Sequence, residues 1–173
     1  ELSLRIRCGV HTSNILAGNI GSLQRMKYGL LGDGINLTAR LKGLNSRYRT
    51  RTLVTGKVMQ EEICKRLFLT RPVDLVAVKG KKEPTTVHEV VLVDTHAGTD
   101  MSSIRRSMAM HAEGFRLYQD REFRRAREAF ELVHATLIAN GIEDEPSRLM
   151  RVRCAAYLRD PPPADWDGID RLT

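Results

Sequence analysis

The sequence predicts a chain in two parts: an α/β or α+β sandwich, in which helices pack on a sheet, followed by a small all-α extension. Short strand patterns and helical patterns alternate up to residue 94, whereas helical patterns alone occupy residues 107–160. A segment of small and polar residues, 95–106, separates the two parts. With 173 residues, 42% of them hydrophobic, the chain can form one compact domain and a small second unit.

Three strand patterns come first. Apolar and polar residues alternate from Leu4 to His11, which is typical of a half-buried strand. Residues 15–21 and 26–31 are two further short candidates, and glycines follow or end both of them. We therefore expect three strands before the first helix.

The first predicted helix runs from about Gly34 to Arg47, with Asp33 as its N-cap. Its apolar residues recur at helical spacing and predict one buried stripe: Leu37, Leu41, Leu44 and Tyr48. A polar stripe repeats the same spacing one residue earlier: Asn36, Arg40, Gly43 and Arg47. The helix therefore places an amide and a guanidinium on one face directly after a glycine-rich turn.

The rest of the first part alternates again. Residues 52–55 form a strand pattern and residues 56–67 a helical one. Residues 73–79 and 85–93 are two strands joined by the basic turn KGKKEP. These patterns complete a predicted domain at residues 1–94.

The second part is helical. A helix is expected from Ser107 to Gln119, and another from about Pro146 to Leu158. Between them a helical apolar stripe, which we interpret as core, consists of Phe123, Ala126, Phe130, Val133 and Leu137. The proline-rich tail, residues 161–173, cannot continue a helix and is expected to be extended.

Charge and composition limit the kinds of ligand and partner that we expect for this chain. The net charge is +7, and residues 1–95 alone carry 16 Lys or Arg against 8 Asp or Glu, which favours an anionic ligand there. The three cysteines lack metal-ligand spacing, and the five histidines are scattered. No apolar run is long enough to cross a membrane. The basic segment RYRTR (47–51) has no nucleic-acid reading motif, so we expect no nucleic-acid partner.

Four separated segments resemble one family in order and spacing: GVHTSNILAGNIG, GDGINLTARL, TLVTGKV and VKGKKEPTTVHEV. Together they resemble the second half of the catalytic domain of class III adenylate and guanylate cyclases, from about Leu4 to Val93. The resemblance implies a ferredoxin-like domain that is N-terminally incomplete in this chain. It also implies a dimer whose active site lies in the cleft between two such domains.

The resemblance implies a reaction and its residues. In the family, the ribose 3′-oxygen attacks the α-phosphate of ATP or GTP, and pyrophosphate leaves. Arg40 matches the arginine that stabilises the transition state, and Asn36 matches the asparagine that orients the ribose. Lys79 falls where a lysine contacts the terminal phosphates, with Lys81 and Lys82 as alternatives. Gly29 occupies the position of a residue that contacts the purine, so the choice between ATP and GTP stays open, with ATP favoured.

The resemblance also implies two divalent metal ions, Mg or Mn, held by aspartates expected upstream of this chain. Asp33, Asp74 and Asp94 match neither aspartate, so no residue here is assigned to a metal. We therefore interpret the chain as a piece of a longer protein and expect it to be inactive alone.

The remaining expectations concern the helical part, the partners and an alternative function. The helical part resembles a single tetratricopeptide-like unit, which needs another surface to pack on. The expected partners are a nucleoside triphosphate and a second cyclase domain, in a cytoplasmic protein whose full length could be anchored to a membrane. The alternative function is a degenerate cyclase-like module that dimerises or binds nucleotide without catalysis.

Overall fold

The computed structural model describes residues 6–22, 24–77, 84–91 and 100–171. The strands are β1 (Cys8–Val10), β2 (Leu16–Ser22), β3 (Arg25–Leu31), β4 (Thr52–Thr55), β5 (Thr70–Ala77), β6 (Thr85–Val90) and β7 (Asp170–Arg171). The helices are α1 (Asp33–Tyr48), α2 (Glu62–Leu67), α3 (Met101–Gln119), α4 (Phe123–Ala139) and α5 (Glu145–Arg159). The expected combination of a sheet with packed helices and C-terminal helices is confirmed.

Five strands form one sheet in the order β1-β4-β6-β5-β7. β1 is parallel to β4 and β7 is parallel to β5, whereas β6 runs antiparallel to both of its neighbours. β2 and β3 form a separate antiparallel hairpin that leads directly into α1.

Helix α1 packs on this sheet through the stripe that its spacing predicts. Leu37, Leu41, Leu44 and Tyr48 are all buried, in one cluster with apolar residues of β4, β5 and β6. The contact with β1 is close because Gly9 has no side chain. A Cβ atom there would lie 2.7 Å from the Thr38 carbonyl oxygen. The predicted apolar stripe of α1 is therefore confirmed as core.

The ends of some elements differ from the predictions. Asp33 is the first residue of α1 and not its N-cap, which is Gly32. Gly32 has a φ of 148°, a conformation that favours glycine. Asp33 still lies where a negative charge interacts favourably with the helix dipole. The helical pattern at residues 56–67 divides into a 3₁₀ turn, Val58–Gln60, and the short α2.

The first helix of the second part begins earlier than expected, at Met101 instead of Ser107. The Asp100 side chain caps it by accepting hydrogen bonds from the backbone N–H groups of Ser102 and Ser103, both at 3.1 Å. Because of this cap, the helix begins within residues 95–106, a segment whose small and polar residues suggest a linker. Residues 92–99 lie outside the described ranges.

Helices α3, α4 and α5, which we call the helical extension, pack against each other and against β5. The predicted stripe of α4 is confirmed as core, since all five of its residues are buried: Phe123, Ala126, Phe130, Val133 and Leu137. Gly114 of α3 allows a close approach, because a Cβ there would lie 3.2 Å from both Ala129 and Phe130.

A buried ionic network joins the helical extension to the sheet. The Arg71 guanidinium on β5 contacts the Glu89 carboxylate of β6 at 2.7 Å and the Asp144 carboxylate at 2.5 Å. Asp144 caps α5 by accepting a hydrogen bond from the Ser147 N–H. Burial, the largest influence, favours the neutral acid, but the Arg71 charge and the hydrogen bonds from Ser147 together outweigh it and lower the pKa of Asp144.

His111 of α3 completes this network in its neutral form. Its Nε2 atom lies 2.9 Å from the Pro72 carbonyl oxygen, which can only accept, so Nε2 carries the proton. Nδ1 then accepts from the Ser147 hydroxyl at 2.9 Å. Burial, and then the Arg71 charge, lower the pKa of His111 to about 3.

The C-terminal tail folds back onto the sheet. The Arg121 guanidinium donates to the carbonyl oxygens of Pro162 and Pro163 at 2.5 and 2.7 Å. The Trp166 indole packs against three aromatic rings: Tyr118, Phe123 and Tyr157. Beyond it, β7 pairs with the end of β5, Asp170 opposite Val76. The tail thus does not continue α5, as expected, but it contains a turn, in which the Trp166 N–H donates to the Pro163 carbonyl oxygen at 3.1 Å, before it adds the strand β7.

We predict that acid weakens the fold through His111. The pKa of this histidine is lowered in the folded protein, so between pH 6.5 and about 3 the unfolded chain binds the additional proton. The stability that this histidine contributes is therefore fully present above pH 6.5 and falls as the pH drops below it. From pH 7 to pH 5 this histidine alone should cost about 2 kcal/mol of unfolding free energy.

Urea unfolding at both pH values, on the wild type and on His111→Gln, measures this contribution. Glutamine keeps one donor and one acceptor but does not titrate. His88, whose pKa burial also lowers, contributes equally to both proteins and cancels in the comparison. An equal loss of stability between pH 7 and 5 in the two proteins would contradict the prediction.

Candidate active site

Asn36 and Arg40 lie one turn apart near the start of α1, next to its buried stripe. The Asn36 side chain is exposed and Arg40 is half-buried. Because the apolar stripe of α1 faces the sheet, both polar groups lie on a neighbouring face of the helix. The structure therefore brings together the two catalytic candidates that the sequence singles out.

Arg40 carries an unsatisfied donor. Its Nη1 atom is buried, yet it has no hydrogen-bond partner among the described residues. A buried donor without a partner costs free energy, and the cost is higher for a charged group. An arginine in this position fits a site in which an anion supplies the missing acceptor.

The β2–β3 hairpin exposes an apolar surface beside the start of α1. Leu16 and Tyr28 are 74% and 73% exposed. Further large apolar side chains of the hairpin are also exposed: Ile20, Met26, Leu30 and Leu31. In the part of the chain that the structure describes, both strands pair with each other alone. An apolar patch of this kind is typical of a surface that binds another protein.

Gly29 lies on β3, directly opposite Gly18 on β2. A Cβ atom at Gly29 would meet the Ile20 Cδ1 atom at 2.9 Å and no backbone atom. The end of a flexible side chain can move aside, so the backbone does not require glycine here. At Gly18 a Cβ atom would meet nothing within 4 Å.

The remaining parts of the predicted site are the lysines and the ligands of the metal ions. Lys79, Lys81 and Lys82 lie outside the described residues, between the end of β5 and the start of β6. Among the residues that the structure does describe, no three His, Cys, Asp or Glu side chains are grouped so that they could hold a metal ion.

The buried side of α1 carries a polar contact that the sequence analysis does not predict. The Tyr48 hydroxyl donates a hydrogen bond to the Asp74 Oδ2 atom on β5. The Arg153 guanidinium of α5 binds the same oxygen at 2.9 Å. The signal in the sequence is an aspartate within the otherwise apolar strand pattern VDLVAV.

The family model of the adenylate and guanylate cyclase catalytic domain matches residues 1–90, just over half of the chain. The chain belongs to this cyclase family. The matched residues include the hairpin and α1, and therefore both catalytic candidates. The described residues contain no helix that is long and apolar enough to span a membrane.

Two curated relatives carry cyclase names. Adenylate cyclase 1 of Rhizobium meliloti (strain 1021) is 35% identical over 100 residues, which are 55% of this chain and 15% of the relative. The terminal-differentiation specific adenylate cyclase of Dictyostelium discoideum is 29% identical over 159 residues, 91% of this chain and 7% of the relative. An alignment of that length includes α3 and α4 of the helical extension. The chain spans less than a fifth of the length of either relative.

A solved structure is also similar. The adenylyl cyclase CyaB from P. aeruginosa is 26% identical, with a TM-score of 0.41, and the match covers 52% of this chain and 44% of that chain.

We predict that replacing Arg40 hardly affects stability. Arg40→Met removes a half-buried guanidinium whose buried Nη1 atom has no partner among the described residues, so the unfolding free energy should change by less than about 1 kcal/mol. Arg71→Met is the matched control, because it leaves the Glu89 and Asp144 carboxylates uncompensated. It should cost roughly 3–5 kcal/mol.

Denaturant unfolding of both variants at pH 7 tests this pair. A large loss of stability in Arg40→Met would mean that the wild-type guanidinium has a stabilising partner within the fold. That result would contradict the interpretation of Arg40 as a group kept for a ligand.

Proposed function

We propose that this chain is the second half of the catalytic domain of a purine nucleotide cyclase that converts ATP into 3′,5′-cyclic AMP and pyrophosphate for signal transduction. The observation that carries the proposal is Arg40, whose buried Nη1 atom lacks an acceptor among the described residues, one helical turn from Asn36. Membership of the cyclase family supports it. GTP is the less favoured alternative substrate.

In the proposed reaction Arg40 binds the α-phosphate. Negative charge redistributes on this group as the new bond forms and pyrophosphate leaves. A guanidinium is always charged, planar and able to donate two parallel hydrogen bonds. A donor that is already desolvated and fixed on a helix needs little reorganisation as the charge develops.

Asn36 has a separate role in this proposal, which is to orient the ribose. Its exposed amide can hydrogen-bond the sugar and hold the 3′-oxygen in line with the α-phosphate. Lys79 is proposed to contact the terminal phosphates as a point charge. We assign no metal ligand to the described residues, and we expect Mg or Mn to be bound by aspartates upstream of Glu1.

A second copy of the domain is the proposed partner. The exposed apolar face of the β2–β3 hairpin supports this, because it lies beside the helix that carries Asn36 and Arg40. Covering it with a second domain would remove apolar surface from water and enclose the nucleotide. We further propose that the catalytic unit works in the cytoplasm, with membrane anchoring of the longer protein left open.

The helical extension is proposed to be a single tetratricopeptide-like unit, in which α3 and α4 pack as a pair and α5 packs on α4. The close approach of these helices at Gly114 supports this assignment. One such unit cannot enclose a repeat core by itself. In this chain the sheet provides the additional packing surface.

The alternative is a degenerate domain that binds nucleotide or dimerises without catalysis, and Gly29 permits it because glycine offers no side chain to the base. A cyclase assay on the full-length protein, with ATP or GTP and with Mg²⁺ or Mn²⁺, decides between the two. Cyclic nucleotide formation supports the enzyme. Nucleotide binding without product under all four conditions supports the degenerate module.

We predict that Arg40→Ala and Asn36→Ala each lower kcat by roughly 10²-fold or more, because each removes one preorganised group. KM should change far less, since both contacts strengthen in the transition state. Steady-state kinetics of the full-length variants provide the measurement. Turnover close to wild type in either variant would remove that residue from the catalytic assignment.

A second prediction concerns base selectivity. Without a side chain at Gly29, the ratio of kcat/KM for ATP to that for GTP should stay below about 10⁴. Gly29→Thr adds a hydroxyl on a Cβ atom that would meet only the Ile20 side chain, and it should change this ratio roughly 10- to 100-fold.

Gly18→Thr is the matched control, since it adds the same side chain to the paired strand. It should leave the ratio unchanged. An equal effect of the two substitutions would show that Gly29 has no special relation to the base.

A further inference from the structure

Helix α1 is held to the rest of the molecule at its C-terminal end. The Asn45 side chain donates a 2.8 Å hydrogen bond to the Cys8 carbonyl oxygen of β1. Tyr48, at the last position of α1, donates to Asp74 of β5. At its other end α1 has no side-chain cap. Its orientation on the sheet therefore depends on the contacts of Asn45 and Tyr48, on its apolar stripe and on the close approach of Thr38 to Gly9 of β1.

A residue of the helical extension also contacts the Asp74 carboxylate to which Tyr48 donates. Arg153 of α5 binds the same Asp74 oxygen as Tyr48, at 2.9 Å. The other carboxylate oxygen accepts from the Leu75 N–H at 2.9 Å. Asp74 is 1% exposed, so its charge depends on these donors in place of water. Burial, and then Asp74, raise the pKa of Tyr48 well above its ordinary value, so its hydroxyl stays a donor.

The same helix carries the catalytic candidates. Arg40 lies eight residues before Tyr48, about 12 Å along the axis at 1.5 Å per residue. An α-helix of this length behaves as a rigid rod on that scale, so a rotation or shift at Tyr48 also moves Arg40 and Asn36. Displacements of about 1 Å at reacting groups can lower a rate by roughly 10²-fold.

We propose that Arg153 is a positioning residue for the cyclase reaction: by holding Asp74 and Tyr48 it fixes the orientation of α1 and thus of Asn36 and Arg40. The inference rests on the proposed function. It gives the helical extension a part in catalysis, because this contact comes from α5 and not from the sheet.

The surroundings of Arg153 make the proposal testable without loss of the fold. A cavity of about 200 Å³ lies beside it, lined also by Arg47, Tyr157 and Trp166. If the guanidinium is removed, water can enter and solvate Asp74. The variant can therefore keep its core and lose the fixed geometry of the Tyr48 contact.

The experiment uses the full-length protein with Arg153→Met, which keeps the length of the side chain and removes its charge. Arg151→Met is the matched control, since Arg151 lies on the same helix and pairs at 2.6 Å with an exposed partner, Glu131. The readouts are kcat, KM, the melting temperature, and amide hydrogen exchange of residues 33–48.

For Arg153→Met we expect kcat to fall about 10-fold, KM to change less than about 3-fold, and exchange of residues 33–48 to accelerate. Arg151→Met should leave kcat, KM and the exchange of residues 33–48 unchanged. Tyr48→Phe removes the same contact from the other side, so it should reproduce the kcat effect. The Tyr48→Phe/Arg153→Met double variant should be no more than about 2-fold slower than Arg153→Met alone.

An unchanged kcat in Arg153→Met and Tyr48→Phe, or a lower kcat with unchanged exchange of residues 33–48, would overturn the inference. Additive effects in the double variant would also overturn it. If Arg153→Met fails to fold, Tyr48→Phe and its exchange decide alone. A wild-type protein without cyclase activity contradicts the proposed function itself, a result distinct from an active enzyme that is insensitive to Arg153.

Discussion

The architecture depends on one buried cation. Arg71 on β5 is only 1% exposed, and such a charge is tolerated only with counter-charges close to it. One counter-charge, Glu89, comes from the neighbouring strand, and the other, Asp144, comes from the loop before α5. The sheet therefore cannot satisfy Arg71 by itself. The ion pair with Asp144 therefore links the helical extension to the sheet.

Periodicity predicts the parts of the fold that repeat. The apolar stripes of α1 and α4 follow the helical period closely, and both are buried as expected. The period does not predict the bulge in β5, where the pairing shifts between Pro72 and Asp74. Because of this shift Val73 and Asp74 are both buried, which strict alternation forbids. The contact of Tyr48 with Asp74 depends on that irregularity, so the strand pattern marks Asp74 as unusual without revealing its partner.

For the candidate site, too, one part can be predicted from the sequence and another part cannot. The spacing of Asn36 and Arg40 suffices to place them on one helix face, because the local helix geometry alone determines it. Whether the Arg40 Nη1 atom has an acceptor depends on residues far apart in the chain. Its lack of one among the described residues is therefore visible only in three dimensions. The early start of α3 likewise depends on how one aspartate side chain turns toward two N–H groups.

The strand formed by Asp170 and Arg171 has a practical consequence for handling the protein. β7 covers the backbone of β5 at Val76 and Ala77, which would otherwise be an open sheet edge. Open edges pair readily with strands of other molecules and promote aggregation. Trimming the chain after α5 to obtain a shorter, more crystallisable protein would remove this cover and the Trp166 packing together. Expression boundaries and affinity tags therefore belong beyond residue 171.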